Sequence, residues 1–388
     1  MKKRLLFYCQ PVLGIGHYIR SREIVRSLRN FDVCFLQGGE VAPGFELPSW
    51  VEMVHLPALK SDADFQDLHV PGGGQSLAQV KEARAQLMLA TCDRFDPDIL
   101  LIELFPFGRR KFDYELIPLL ERVRSSGRAA KVACSLRDIL VAKRNQAQYE
   151  EEVCALLNRY FDLLLIHADP EFQRLEETFP SAGEIRCAIQ YTGYVAPPQE
   201  GAADGVPPVA PGEALILATI GGGRVGHELL ECAVVAGDLI AAEVPHRMLI
   251  VAGPHMPADQ FEKLEAMAAC QPRVVLRRSV TGLYPYLRRA DLSISMAGYN
   301  TCLEVLGAGG RALVYPFTGH NNQEQTIRAR KLERLGALRM IPTGQLTSER
   351  LAAEIVRSLA EPPPSRSPAL NLMGAEKTAV LLAELVNA

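Results

Sequence analysis

Short apolar runs alternate along the chain with longer segments whose apolar residues recur every three or four positions. The runs lie at 4–9, 32–37, 51–56, 98–104, 129–135 and 162–167, and again at 214–220, 247–252, 273–277, 291–296 and 311–316. Runs such as DILLIEL and DLLLIHA are apolar almost throughout, which is typical of parallel strands that are buried on both faces. The segments between several runs have helical periodicity. The pattern predicts an α/β fold in which helices cover both faces of parallel sheets.

The alternation is interrupted once, by VAPPQEGAADGVPPVAPG at 195–212, which carries five prolines and no apolar period. Such a composition is typical of a linker. A chain of 388 residues also exceeds the size at which one hydrophobic core usually keeps growing. We therefore predict a domain at 1–196, a linker at 197–212, a second domain at 213–365, and a C-terminal helix at 366–388 that crosses back to the first domain. Each domain is predicted to be Rossmann-like and doubly wound.

Charge and cysteine usage narrow the class of protein. The net charge is -3, and the sequence has no long run of Lys or Arg, so a nucleic-acid-binding protein is disfavoured. The nine cysteines are scattered without a CxxC pair or a His partner at metal-ligand spacing, which indicates reduced thiols and a cytoplasmic protein. The apolar run at 5–9 is too short for a signal peptide, and no stretch is long enough to span a bilayer. We expect no metal, no nucleic acid and no integral membrane contact.

The first strand runs into QPVLGIGHYIR, where Gly14 and Gly16 loosen the turn before a helix. Ligands of open α/β sheets bind at this edge. The complete dinucleotide fingerprint is absent because Arg20 and Ser21 follow where a third glycine belongs, so NAD is disfavoured. His17 lies at the turn, and an imidazole is well matched to removing a proton from an acceptor hydroxyl near neutral pH. A helix-capping histidine that shapes the loop is the alternative.

The second half opens in the same way, with ALILATI followed by GGGRVGHELLE. Gly221, Gly222 and Gly223 allow the backbone to approach a diphosphate, and Arg224 is available to neutralise it. A tight strand-to-helix turn with no ligand is the alternative.

A third candidate site follows the strand that ends at Ser295. The small and polar residues at its turn and at the following helix start suit a pyrophosphate: Ser295, Ala297, Gly298, Asn300 and Thr301. Glu304, one turn into that helix, is placed to accept hydrogen bonds from a ribose, or only to complement the helix dipole. After the next strand, the polar run HNNQEQ contains His320, Glu324 and Gln325, whose groups can bind sugar hydroxyls or start a solvated helix.

The segment 290–337 resembles the C-terminal nucleotide-sugar-binding region of GT-B-fold glycosyltransferases, especially the enzyme of peptidoglycan synthesis that transfers N-acetylglucosamine to lipid I. GIGHYIR, SLRDIL at 135–140, HADPEF at 167–172 and YTGYV at 191–195 look closest to a group of predicted bacterial glycosyltransferases in the same superfamily. The likeness covers nearly the whole chain. It implies two Rossmann-like domains that face each other across a cleft, with the acceptor held by the N-terminal half.

The resemblance also implies individual roles. It places Glu324 and Gln325 at the donor sugar, Glu304 at the ribose and Val280 at the uracil, and the turn that follows Ser295 at the diphosphate. It implies that the histidine of the first loop, His17, is the catalytic base. Gly16 and His320 are also predicted to belong to the donor site. The two residues placed at the donor sugar, Glu324 and Gln325, are Glu-Gln here and Gln-Gln in the peptidoglycan enzyme, so the identity of the sugar stays open.

Three residues of the first half are candidates for the acceptor site. Glu103 ends the DILLIEL strand at the edge where the acceptor is expected, although it could equally satisfy backbone donors. Arg137 and Asp138 lie at the corresponding position after another strand, where an internal ion pair is the alternative.

The predicted activity is metal-independent, inverting transfer of N-acetylglucosamine or another hexose from a UDP-sugar to a small-molecule or glycan acceptor. No cofactor besides the UDP-sugar co-substrate is expected, since neither a DxD-like pair in a suitable loop nor a His/Cys cluster stands out in the sequence. Two alternatives remain: a UDP-sugar hydrolase or epimerase of the same fold, and a non-catalytic nucleotide-sugar-binding protein.

Overall fold

The computed structural model describes residues 2–11, 16–39, 46–61, 68–71, 74–127, 129–319, 322–362 and 369–387. The chain forms two compact units: one combines Met1–Ala196 with Leu370–Ala388, and the other is Pro197–Ala369. The proline-rich segment 197–212 therefore belongs to the second unit, where the hydroxyl of Tyr286 donates a hydrogen bond of 2.8 Å to the carbonyl of Asp204.

Within the described residues of the first unit, seven strands form one parallel sheet with the order β3-β2-β1-β6-β7-β8-β9. The strands are β1 (Lys3–Cys9), β2 (Phe31–Gln37), β3 (Glu52–His55), β6 (Ile99–Glu103), β7 (Lys131–Arg137), β8 (Leu163–His167) and β9 (Ala188–Tyr191). A separate antiparallel pair is formed by β4 (Lys60–Ser61) and β5 (Leu68–His69). The helices are α1 (Gly16–Ser27), α2 (Leu77–Phe95), α3 (Asp113–Ser125), α4 (Gln146–Tyr160) and the C-terminal α11 (Gly374–Asn387).

The C-terminal helix completes the core of the first unit. Leu381 and Leu382 of α11 join a buried cluster with Ile24 of α1 and with residues of the sheet. The segment before α11 is fixed by Asn371, whose N–H donates to the Asp169 carboxylate at 3.0 Å and whose carbonyl accepts from Tyr194 at 2.7 Å. The helix α11 thus shares a hydrophobic core with strands and a helix formed by residues far earlier in the chain.

The second unit is built on the same plan. Its described residues form a six-stranded parallel sheet with the order β12-β11-β10-β13-β14-β15. The strands are β10 (Ala214–Thr219), β11 (His246–Val251), β12 (Val274–Arg277), β13 (Leu292–Ser295), β14 (Arg311–Val314) and β15 (Arg339–Met340). The helices are α5 (His227–Leu239), α6 (Ala258–Ala269), α7 (Tyr284–Leu287), α8 (Tyr299–Ala308), α9 (Glu324–Arg334) and α10 (Ser348–Ala360).

The predicted fold class of two doubly wound parallel sheets is confirmed. In each sheet the strand order reverses once, between β1 and β6 in the first and between β10 and β13 in the second. The loops on either side of such a reversal diverge at the carboxyl edge of the sheet and leave a crevice there, which is where open α/β folds bind ligands. Both reversals lie beside loops that the sequence singled out.

Candidate active site

The site in the first unit is centred on His17, the second residue of α1. Its Nδ1 lies 2.5 Å from Oε1 of Glu103, the last residue of β6. The contact forms because β1, which leads into α1, pairs with β6. A carboxylate only accepts, so Nδ1 carries the proton that it donates, and Nε2 keeps its lone pair. The His17 side chain is 21% exposed, whereas Glu103 is completely buried.

Two arginines surround the same carboxylate. Arg20, one turn after His17 on α1, donates to Oε1 of Glu103 at 2.5 Å, and Arg109 donates to Oε2 at 3.3 Å. Arg109 reaches Glu103 because the chain turns after the end of β6, and in this turn Leu104 and Arg109 have left-handed φ values of 67° and 64°. A leucine rarely adopts this conformation, and such strain is concentrated at functional sites.

These charges set the protonation states of the pair. Burial lowers the pKa of His17 to about 4; the Glu103 carboxylate opposes this effect, while Arg109 and Arg20 reinforce it. Burial alone would raise the pKa of Glu103, but His17, Arg109 and Arg20 outweigh it and hold that pKa well below its usual range. At neutral pH the pair is a neutral imidazole oriented by an ionised carboxylate, which is the arrangement of a general base.

The structure corrects two acceptor-site predictions. Glu103 was predicted to assist the acceptor, but it is 0% exposed and its oxygens are engaged by His17 and two arginines, so it acts on His17. Asp138 is 1% exposed, so its carboxylate is likewise not open to an acceptor. Arg137, half-buried at the end of β7, stays a prediction. Arg20 and Arg109 were not predicted as partners of Glu103, although the pairing of β1 with β6 at the reversal brings the residues that follow these two strands together.

A second histidine lies along the same sheet edge and does not fit the role of base. Ser135 Oγ lies 2.7 Å from Nε2 of His167, and Thr192 Oγ1 lies 2.9 Å from its Nδ1. All three side chains are 0% exposed, and burial lowers the pKa of His167 to about 3. Because both ring nitrogens are hydrogen-bonded inside the core, His167 has a structural role.

In the second unit, two predicted phosphate-binding turns lie side by side. Thr219 at the end of β10 pairs with Ser295 at the end of β13. A Cβ atom on Gly221 would lie 3.6 Å from Oγ1 of Thr301, so the glycine turn adjoins the first turn of α8. Gly223 has a φ of 90°, and a Cβ there would lie 2.8 Å from the backbone at Ala252. Glycine is thus required for this backbone path.

The side chains around these turns suit an anion. Arg224 is exposed and makes no hydrogen bond or ion pair with any residue that the structure describes. Ser295 is 1% exposed, and its Oγ is without a hydrogen-bond partner among the described residues. Ala297, Gly298 and then α8 follow, so the N–H groups and positive dipole end of a ten-residue helix begin directly after this turn.

Glu304 connects α8 with the segment that precedes α7. Its Oε1 accepts a hydrogen bond of 3.3 Å from the N–H of Leu283. Burial raises the pKa of Glu304 to about 7, against the opposing effect of the N–H groups of Leu283 and Tyr284. Val280 is half-buried between β12 and α7. The ribose and uracil contacts of these two residues stay predictions.

At the start of α9 the structure differs from the prediction. Glu324 was expected to face the donor sugar, but it is 6% exposed, and its Oε1 accepts from Arg328 at 2.8 Å. Gln325 is half-buried, and its Oε1 accepts from the N–H of Phe317 at 3.1 Å. His320, also predicted for the donor site, lies outside the described residues. Arg328 was missed, although its spacing of four residues from Glu324 is that of a helical ion pair.

The described residues contain no group of three or more His, Cys, Asp or Glu that could hold a metal ion. In the same part of the chain, no helix is both long and apolar enough to cross a membrane.

Comparison with known proteins finds a family model that matches part of the second half of the chain. Residues 254–382 match the model of the glycosyltransferase family 28 C-terminal domain. A curated relative is the UDP-N-acetylglucosamine–N-acetylmuramyl-(pentapeptide) pyrophosphoryl-undecaprenol N-acetylglucosamine transferase of Alkalilimnicola ehrlichii, 38% identical over 74 residues. That match covers 19% of this chain and 21% of the relative. The chain thus aligns with about a fifth of the length of this relative.

Solved structures extend the likeness to the whole chain at the level of the fold. The calicheamicin glycosyltransferase CalG4 is 16% identical, with a TM-score of 0.62 over 100% of this chain and 97% of that one. MurG from Acinetobacter baumannii is 17% identical, with a TM-score of 0.58 over 99% of each chain. These comparisons confirm the predicted resemblance to GT-B-fold proteins.

Proposed function

Because the chain has the GT-B fold and carries the C-terminal domain of the family 28 glycosyltransferases, we propose that it transfers a hexose from a UDP-sugar to a hydroxyl group of an acceptor. The observation that carries the proposal is the His17–Glu103 pair, a neutral imidazole held at 2.5 Å by a buried carboxylate. A protein that only bound a nucleotide sugar would have no use for an oriented base.

The donor is proposed to bind the second unit. Its diphosphate lies against Gly298 and the start of α8, with Arg224 and the 221–223 turn on the other side. The uracil meets the backbone at Val280, the ribose meets Glu304, and Gln325 contacts the sugar. N-acetylglucosamine is the first sugar to try, since the curated relative is named as an N-acetylglucosamine transferase.

The reaction is a single displacement. The acceptor oxygen attacks the anomeric carbon as the bond from that carbon to the diphosphate oxygen breaks, and its proton passes to Nε2 of His17. UDP departs with the bonding electrons, and the configuration at the anomeric carbon inverts. The dipole of α8 and the charge of Arg224 stabilise the departing diphosphate, so the step proceeds without a metal. The nine free cysteine thiols support action in the cytoplasm.

Calorimetric titration of the folded protein with UDP, ADP, GDP and a panel of UDP-sugars tests the donor assignment. We expect UDP and one UDP-sugar to bind and the other diphosphates to bind weakly, and Arg224→Met to weaken UDP more than uridine, since only UDP carries the diphosphate. Absence of binding by every nucleotide would refute the proposal. Free sugar formed without an acceptor would instead indicate a hydrolase, an isomeric UDP-sugar an epimerase, and binding without turnover a non-catalytic protein.

A further inference from the structure

Arg328 is a buried cation at the junction of three segments of the second unit. It belongs to α9 and is 3% exposed. One of its nitrogens donates to Oε1 of Glu324 at 2.8 Å, and the other donates to the carbonyl of Ala297 at 2.9 Å. Its guanidinium carbon lies 5.6 Å from the centre of the Tyr299 ring, within the range of a cation–π contact. One side chain thus joins the start of α9 to the turn between β13 and α8.

The ion pair places a carboxylate close to this turn. Because a single guanidinium makes both contacts, the Glu324 carboxylate lies within roughly 8 Å of the Ala297 carbonyl. That span is comparable with the Debye length at physiological salt, about 8 Å, and the buried position weakens screening further. Without its cation, Glu324 would repel any anion bound at the first turn of α8.

We propose that Arg328 is a positioning residue of the donor site, which neutralises Glu324 so that the diphosphate of the nucleotide sugar meets a turn free of net negative charge. This inference rests on the proposed function, because it takes the diphosphate to bind at this turn. Arg328 need not touch the donor.

A purely structural role makes a different prediction. If Arg328 only ties Ala297 to α9, removing its side chain loosens the turn, and neutralising Glu324 as well cannot repair it. If Arg328 compensates charge, removing both charges restores the electrostatic balance. The two roles are therefore separated by a double-mutant cycle on positions 324 and 328.

The experiment measures UDP affinity by calorimetry for wild type, Arg328→Met, Glu324→Gln, the double variant and Arg328→Lys. Arg330→Met is the matched control, because Arg330 is exposed two residues further along α9. We expect Arg328→Met to bind UDP about 10- to 30-fold more weakly, and the other variants to stay within about threefold of wild type.

The inference is overturned if Arg328→Met binds UDP like wild type, or if the double variant binds as weakly as Arg328→Met. Should Arg328→Met fail to fold, the double variant still decides, since charge compensation predicts near-normal affinity and a structural tie predicts weak binding. Failure of wild type and Arg330→Met to bind UDP would refute the proposed function itself, which is a separate outcome.

Discussion

Glu103→Gln tests the buried centre of the first unit. The substitution keeps the shape of the side chain and removes the charge that faces Arg20 and Arg109, whose side chains are only 2% and 9% exposed. Water cannot replace the lost partner at these positions, and breaking a buried ion pair from one side costs about 3–5 kcal/mol. We expect a loss of that size in the free energy of unfolding of the first unit.

The same change should also slow the reaction. The amide introduced by Glu103→Gln would not hold the Nδ1–H of His17 as the carboxylate does, so the imidazole loses both its orientation and the charge that stabilises its protonated form. General-base catalysis contributes about 10²–10⁴ in rate, and we expect kcat to fall by roughly 10²-fold. His17→Ala should lower kcat at least as much, yet cost little stability, since its ring is partly exposed and uncharged.

Trp50 makes the stability measurement specific. It is the single tryptophan of the chain and lies in the first unit, so urea unfolding followed by its fluorescence reports on that unit. Glu52→Gln is the matched control, because Glu52 pairs with Arg94 at the surface, where ion pairs contribute about 0–1 kcal/mol. The reasoning is refuted if Glu103→Gln unfolds within about 1 kcal/mol of wild type, or if both variants lose the same amount.

Three further outcomes follow from the structure. Neutral His17 is the active form and its pKa is about 4, so kcat at saturating donor should stay constant as the pH is lowered towards 4 and should fall below that pH. Arg109→Met removes a cation that lowers this pKa and should therefore move the fall in kcat to higher pH. A wild-type fall near the ordinary histidine pKa of about 6.5 would contradict the assignment of His17 as the base. The affinity for UDP, measured by calorimetry, should weaken as the pH drops through about 7, because protonation of Glu304 removes an acceptor for the ribose hydroxyls. Glu304→Gln should bind UDP more weakly than wild type and should lack this pH-dependent change in affinity. The same change in the variant as in wild type would exclude Glu304 as its source. Arg84→Met should destabilise the first unit by about 3–5 kcal/mol in the fluorescence assay, because Arg84 donates to both oxygens of the fully buried Glu115 at 2.7 and 2.8 Å; a loss below about 1 kcal/mol would contradict this.

The strands that the sequence predicted best are those with long apolar runs. β6 and β8 are buried at every position, and burial on both faces is what makes a run apolar throughout. β9 was missed because its residues alternate between half-buried and exposed, and β15 because it has only two residues. The run at 129–135 was placed two residues early, since β7 spans Lys131–Arg137.

The site was predictable as a location but not as a network. Position alone marked His17, because the turn after the first strand of such a sheet meets ligands. Its bond to Glu103 joins residues 86 positions apart, and it depends on β1 and β6 being neighbours. Burial, which makes Glu103 a partner of His17 and leaves Glu324 paired with Arg328, is a property of the packed chain that local spacing does not reveal.

Product analysis with the UDP-sugar found by titration tests the central claim most directly. Wild type and His17→Ala would be incubated with that donor and a panel of hydroxyl acceptors, and UDP, glycosylated acceptor and free sugar followed by mass spectrometry. The account predicts that wild type forms UDP and glycosylated acceptor in equal amounts, with the anomeric configuration inverted, and that His17→Ala binds the donor normally but is slowed by at least about 10²-fold. Equal rates of transfer by the two proteins would contradict it.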